Sequence, residues 1–241
     1  MITYAMFTNK GDRELNEDFV GVNAKSGTYF FALADGLGGH GRGEVASQLV
    51  VEEALVDFPE LDVDEDLIKN IFEKCQSKLM NHQKELHAKS EMKSTMVVSC
   101  VTQDSIQWGH IGDSRLYLFQ GRKLITRTVD HSVPQMLVFA GEIKEKEIRF
   151  HPDRNRLMRV MGTEWGRSSY ELSEVYKREG RQALLLCSDG FWELIDEKTM
   201  MKCLKKASCV QEWLESMIQI VQKNGKGKDM DNYSAICVWC D

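Results

Sequence analysis

The chain has 241 residues, 42% of them hydrophobic and 28% charged, with a formal net charge of −6. That is enough chain for one domain with a sizeable core, and the acidic balance argues against broad nucleic-acid binding, which needs a basic surface. No apolar run approaches the roughly 18 residues of a membrane span. With only three prolines and no Ser-, Gln- or Pro-rich tract or internal repeat, the expectation is a single domain over residues 1–241. Seven cysteines, an odd number, suit a reducing compartment. The start of the chain lacks a basic stretch followed by a signal-type apolar run, so the expected location is cytoplasmic.

Taken in order, residues 2–7 and 18–23 read as strands, the second turning through Lys25, Ser26 and Gly27 into a third that begins at Thr28. Between the first two lies KGDRELNED, which by itself is a solvated charged turn. Residues 44–58 have helical spacing, and a second helix is expected from an N-cap at Asp64, with Leu67, Ile68, Ile71, Phe72, Cys75, Leu79 and Leu86 along one stripe. His82 and His87 fall on its polar side. Four strands are expected at 96–101, 106–111, 115–120 and 124–126, joined by tight turns such as Gln120, Gly121, Arg122.

Residues 133–161 are polar and irregular, with Arg149, Arg154, Arg156 and Arg159 around His151 and Pro152, and read either as a solvated flap or as a basic surface for an anionic substrate. Strand patterning resumes at 170–175 and 183–187. Two helices follow, the second opened by a Ser208/Gln211 capping box, and a last strand is expected at 233–239. Cys237 and Cys240 form a C-x-x-C inside that strand. Residues three apart on a strand face opposite ways, so they read as buried structural cysteines.

Everything turns on TYFFALADGLGGHGRGE, residues 28–44. A buried strand stops at Asp35, and the next eight residues hold five glycines before a helix begins. Gly36, Gly38 and Gly41 satisfy the dinucleotide-loop pattern G-x-G-x-x-G. A pyrophosphate wants amide donors and a helix N-terminus, however, and the Asp35 carboxylate would repel it. A strand-end acid beside an open glycine carbonyl suits a hard cation such as Mg²⁺ or Mn²⁺. Asp113, Asp189 and Asp231 also stand at ends of apolar strands. Four such acids brought together would raise one another's pKa unless cations held them, and their oxygen donors disfavour zinc. The order of elements, strands then helices twice over and one closing strand, suits antiparallel sheets with segregated helices.

KGDRELNED, ADGLGGHGRGE, the ST of MKSTMVV, HIGDSRLY, TVDHS, HPDRNRLMRVMG, LLLCSDGFWELI and DNYSAICVW, in that order, resemble the motif series of the metal-dependent Ser/Thr protein phosphatases of type 2C (PPM), in their bacterial stand-alone form. The resemblance covers nearly the whole chain. It implies an α+β fold, an α-β-β-α sandwich of two antiparallel sheets flanked by helices, with a two-metal site at one end and a flap at about 133–161.

By motif position, Asp35 would bridge two Mn²⁺ or Mg²⁺ ions and Gly36 would lend its carbonyl. Asp189 and Asp231 would complete one ion, Glu17 and Asp18 would serve a metal directly or through water, and Asp113 would help bind a third. Arg13 matches the arginine that grips the substrate phosphate, and Asn232 would hold waters behind the ligands. The implied activity is hydrolysis of phosphoserine and phosphothreonine by direct attack of a metal-bridging hydroxide. Where many relatives place a histidine after Asp-Gly as acid for the leaving group, this chain has Leu37, and His40 becomes a candidate for the proton. Implied partners are phosphorylated proteins, a Ser/Thr protein kinase among them, with no nucleic acid or membrane partner and a monomeric state. Two other readings stay open: a catalytically silent phosphoprotein-binding regulator on the same fold, and a nucleotide-binding oxidoreductase.

Overall fold

The computed structural model describes residues 1–37, 41–56, 66–89, 91–121, 123–166 and 170–241. Strands β1 (Ile2–Asn9), β2 (Asp18–Lys25) and β3 (Thr28–Asp35) lead into helices α1 (Gly43–Val56) and α2 (Leu67–Glu85). Strands β4 (Met96–Val101), β5 (Ser105–Ile111), β6 (Arg115–Gln120) and β7 (Lys123–Arg127) follow. After α3 (Val133–Phe139) and a 3-10 helix (Glu145–Phe150) come the short strands β8 (Glu171–Leu172) and β9 (Tyr176–Lys177), then β10 (Gln182–Cys187). The last elements are α4 (Asp189–Trp192), α5 (Glu197–Lys206), α6 (Val210–Gly225) and β11 (Tyr233–Cys240).

One antiparallel sheet has the order β1-β11-β10-β6-β7, and the other β2-β3-β4-β5-β8 with β9 also on β5. The period-two alternation of each strand builds three cores. In β3, Phe31 and Leu33 point between the sheets, meeting Leu116, Leu118, Leu184, Leu186, Ile236 and Val238. Phe30, Ala32 and Ala34 point outward under α1 and α2, among Val50, Ile68, Phe72 and Leu79. The outer face of the other sheet buries Tyr117, Phe119 and Leu185 beneath Trp192, Trp213 and Met217. This is the expected α-β-β-α sandwich. Truncating a fully buried anchor such as Trp213 to alanine would cost about 3–5 kcal/mol.

Several boundaries differ from the sequence reading. The Asp64 cap, Phe58 and Arg122 lie outside the described residues. The N-cap position of α2 is Asp66, whose side chain makes no capping bond but reaches Lys69 at 3.5 Å. Ser208 pairs with Glu212, not Gln211: both its amide and its hydroxyl donate to Glu212 Oε2 at 2.8 Å, while Gln211 turns to Glu215. The single strand expected at 170–175 is replaced by β8 and β9, since the chain between them carries one residue more than β5 opposite it and stays attached through Ser173, whose amide donates to Trp108 O at 2.8 Å. A single-turn helix, α4, precedes the two helices expected after β10. Cys237 and Cys240 are both buried, one facing the helices and the other between the sheets, as their spacing requires.

Candidate active site

Antiparallel strands alternate direction, so the end of one and the start of the next share an edge of the sandwich. Asp18 opens β2 and Asp35 closes β3, directly opposite in register. Asp113 lies in the turn from β5 to β6, Asp189 opens α4 with one residue between it and the end of β10, and Asp231 stands just before β11. The fold therefore gathers all five aspartates at one end. A cavity of about 470 Å³ opens there, lined by Arg13, Glu17, Asp35, Asp113, Asp189 and Asp231 with Gly36, Leu37 and Asn232.

Local geometry fixes these positions. The Gly36 amide donates to Glu17 O at 3.0 Å, and a Cβ at Gly36 would lie 2.2 Å from Gly43 O. Only glycine lets the β3 end pass so close to the start of α1. Ser94 and Thr95 hold the same strand end: Ser94 Oγ donates to Asp35 O at 2.8 Å, and the Asp35 amide donates to Thr95 Oγ1 at 2.9 Å. That explains the short ST motif before β4. Asp18 is buried behind Asp35, where its Oδ2 accepts from Ser188 Oγ at 2.7 Å and its Oδ1 has no hydrogen-bond partner.

Burial, followed by the neighbouring carboxylates, pushes these acids up. Asp35 and Asp113 rise well above the usual carboxylate range, first through desolvation and then through the Asp189 charge. Asp18 is pushed up to about 7 and Asp189 to about 6, again chiefly by burial. Glu17 is raised by burial and by Glu44. An all-oxygen set of mutually repelling acids, one of them with an orphaned buried oxygen, fits hard divalent cations.

Arg13 and Asn232 are tied into the loops around the cavity. Arg13 makes a two-pronged pair with Asp231, Nε to Oδ1 and Nη2 to Oδ2 both at 3.1 Å, and reaches Asp229 at 3.4 Å. The guanidinium at the rim is thus aligned by the acids it borders. Asn232 is committed to the main chain: its Oδ1 accepts from the Glu17 amide at 2.7 Å and its Nδ2 donates to Lys10 O and Leu15 O. It clamps the loop that carries Arg13 and Glu17. His40 lies outside the described residues, whereas Leu37 lines the cavity and offers no side-chain proton.

The arginines of the segment after α3 are paired with acids: Arg149 with Glu197, Arg154 with Glu193, Arg156 with Asp153 and Arg159 with Glu171. Of these, Arg154 lines a smaller cleft of about 270 Å³ shared with Arg13, Asp189 and Asp231. Sequence reasoning missed Glu193 and Asp229 in that cleft, and Asn155 and Leu157 in the main cavity. Asp229 had a signal, since it stands two residues before Asp231 in KDMDN. Asn155 sits in a stretch with no periodicity to mark it.

Two antiparallel sheets between helix layers, with an acidic cavity at one end, are the frame that comparison with known proteins places in a family. The family profile described as protein phosphatase 2C matches residues 9–233, and the chain belongs to that family. It is 32% identical to the serine/threonine phosphatase stp of Listeria monocytogenes serovar 1/2a, over 94% of this chain and 90% of the relative. It is 30% identical to the serine/threonine protein phosphatase PstP of Mycobacterium tuberculosis, spanning 98% of this chain but 44% of that longer protein. Among solved structures, Stp1 from Staphylococcus aureus superposes with a TM-score of 0.90 at 28% identity, over 100% of this chain and 96% of that one. The catalytic domain of PstP in complex with 2 manganese ions superposes at 0.83 with 28% identity, over 100% of this chain and 99% of that one.

Proposed function

We propose that this chain is a Mn²⁺- or Mg²⁺-dependent protein phosphatase that hydrolyses phosphoserine and phosphothreonine in proteins, acting as a single domain over residues 1–241. The observation that carries the reading is the convergence of Asp35, Asp113, Asp189 and Asp231 on one cavity with Arg13 at its rim. A nucleotide-binding oxidoreductase finds no support, because the strand before the glycine loop pairs antiparallel with both neighbours and its terminal acid faces carboxylates. The family match and the presence of every expected acid disfavour a silent binding module.

Asp35, Asp189 and Asp231 would hold two ions together with the Gly36 carbonyl, with Glu17 and Asp18 behind them and Asp113 serving a third. Such ions supply an activated water and neutralise charge on the phosphoryl oxygens. Arg13 then binds the phosphate: Asp231 takes its Nε and one Nη2 proton and so orients the guanidinium, whose remaining Nη protons would meet the phosphoryl oxygens. Leu37 keeps the cavity wall apolar beside the reacting group. Residues 133–161 form a flap whose Asn155 and Leu157 face the incoming peptide. The substrates would be proteins phosphorylated by a Ser/Thr protein kinase.

The test is phosphate release from a phosphothreonine peptide in EDTA, Mg²⁺ and Mn²⁺. Turnover restored by either metal supports the reading, and turnover unaffected by EDTA would overturn it.

A further inference from the structure

His131, in the loop between β7 and α3, and Glu171, the first residue of β8, lie outside the acidic cavity and have no part in the chemistry described above. With His110 they form the one group of three His, Cys, Asp or Glu residues, among the described residues, whose ligand atoms all lie within 4.8 Å of one another. A chelated ion is the first reading to weigh. The His110 and His131 rings stack with centroids 4.7 Å apart and planes only 17° from parallel. An imidazole lone pair lies in its ring plane, so one cation cannot sit in both of two stacked, near-parallel planes. His110 is also occupied, its Nε2 lying 2.8 Å from Val129 O, and burial pushes it down to about 4, leaving it neutral.

The bonds of His131 point elsewhere. Its main-chain amide donates to Gly112 O at 2.9 Å, and the Gly112 amide donates back to His131 Nδ1 at 3.2 Å. With Nδ1 accepting, the proton of the neutral ring belongs on Nε2, which faces Glu171 Oε1 at 3.3 Å. Arg159 reaches the same carboxylate oxygen at 3.5 Å. His131 is thus fixed on one side by a hydrogen bond, its ring holding the amide of the residue before Asp113, and on the other lies against the Glu171 carboxylate, whose charge favours this ring setting although Nε2 completes no hydrogen bond to it.

That turn needs holding. Gly112 has φ +99, and a Cβ there would lie 2.6 Å from the Thr95 Cγ2 methyl. Thr95 is bonded in turn to the Asp35 amide and to Ser114 Oγ. The far side of the turn is fixed by Trp192 Nε1, which donates to Asp113 O at 3.0 Å. We infer that His131, oriented by Glu171, is a positioning residue that fixes the Gly112–Asp113 turn and so sets the affinity of the cation served by Asp113. This rests on the proposed role of Asp113 as a ligand. Outer partners that orient metal ligands typically change affinity about 10- to 100-fold when removed, and a partner acting through the backbone belongs at the lower end.

The experiment uses two isosteres in the full chain, with Mn²⁺ binding measured by calorimetric titration and folding by Tm. In His131→Asn the amide oxygen takes the place of Nδ1, so it accepts from Gly112 but loses Glu171. His131→Gln reaches toward Glu171 but offers no acceptor at the Nδ1 position. Asp113→Asn marks which binding event depends on Asp113.

The expected result is that His131→Gln weakens that ion about tenfold, that His131→Asn stays within about threefold, and that the other ions are unchanged in both. Equal loss in both variants, tracking Tm, would reduce His131 to a packing residue and overturn the inference. Wild-type affinity in His131→Gln, with the ion lost in Asp113→Asn, would overturn the inference alone. No Asp113-dependent ion in the wild type would overturn it together with the proposed role of Asp113. An ion unaffected by Asp113→Asn but lost in both His131 variants would reinstate the chelate reading against it.

Discussion

Asp18 and Asp35 face each other across the β2–β3 ladder, so two carboxylates share one rung at the mouth of the sandwich. Like charges directly opposite on a sheet are destabilising, and here both are also withdrawn from water. The rung is therefore held against its own electrostatics, as a cation site requires.

A pH dependence follows for the metal-free protein. Burial pushes the Asp18 carboxyl up to about 7, well above an ordinary aspartate, so the native state binds the proton more tightly than the unfolded chain. Its contribution to stability is fully present below about pH 4 and is lost as pH rises through about 7. In EDTA, Asp18→Asn should be more stable than wild type by on the order of 2 kcal/mol at pH 8, because coupled neighbours share the relief. The advantage should shrink as pH falls towards 4. Thermal unfolding at a series of pH values checks this, and a difference independent of pH would remove the electrostatic explanation.

Gly36→Ala should damage both fold and site. The added methyl would lie 2.2 Å from Gly43 O and 2.9 Å from Glu17 O, both main-chain atoms. Overpacking against backbone costs about 1–3 kcal/mol. Since the displaced carbonyl belongs to the site, Mn²⁺ affinity should fall with Tm. Unchanged Tm and metal binding together would mean the loop has more freedom than its contacts indicate.

Arg13→Ala should raise KM for a phosphopeptide by about tenfold or more, the equivalent of one or two charge-assisted hydrogen bonds, with a smaller effect on kcat. The ion pair with Asp231 is substantially exposed at both ends, so Tm should move little. Steady-state kinetics beside a melting curve separate the two effects.

Arg115→Lys tests the frame behind the site. Arg115 is buried, makes two bonds to Asp130 at 2.6 and 2.7 Å, and lies over the Trp192 ring at 3.4 Å, while Trp192 Nε1 holds Asp113 O. Lysine can neither fork nor stack in this way, and disrupting such a buried pair costs about 3 kcal/mol or more. Chemical denaturation should show the loss, and a drop in Mn²⁺ affinity should accompany it through Asp113.

Much of this site was legible because antiparallel topology turns strand ends into a shared edge. Asp35, Asp113, Asp189 and Asp231 each follow or precede an apolar run, and the motif order carried the rest. The partners of Arg13 and Asn232 were not legible. Both depend on how the loop before β2 folds back over the chain before β11, 218 residues away for the Arg13 pair, a contact that no local pattern encodes. The arginines after α3 read either as a solvated flap or as a basic surface, and their pairing was hidden for a related reason, since Glu193, Glu197 and Glu171 reach them from other elements. Asp18 read as serving a metal directly or through water, but no local pattern showed that its side chain would be buried and its Oδ2 would accept from Ser188, 170 residues on.

The central claim is that Asp35 joins the cations to the chemistry. The most direct test is Asp35→Asn, with Mn²⁺ binding and phosphate release from a phosphothreonine peptide measured on the same preparation. Asparagine keeps the shape of Asp35 while removing its charge. The expected result is folded protein that has lost both high-affinity Mn²⁺ binding and turnover. Near-normal turnover with Mn²⁺ in that variant would contradict the assignment of the site.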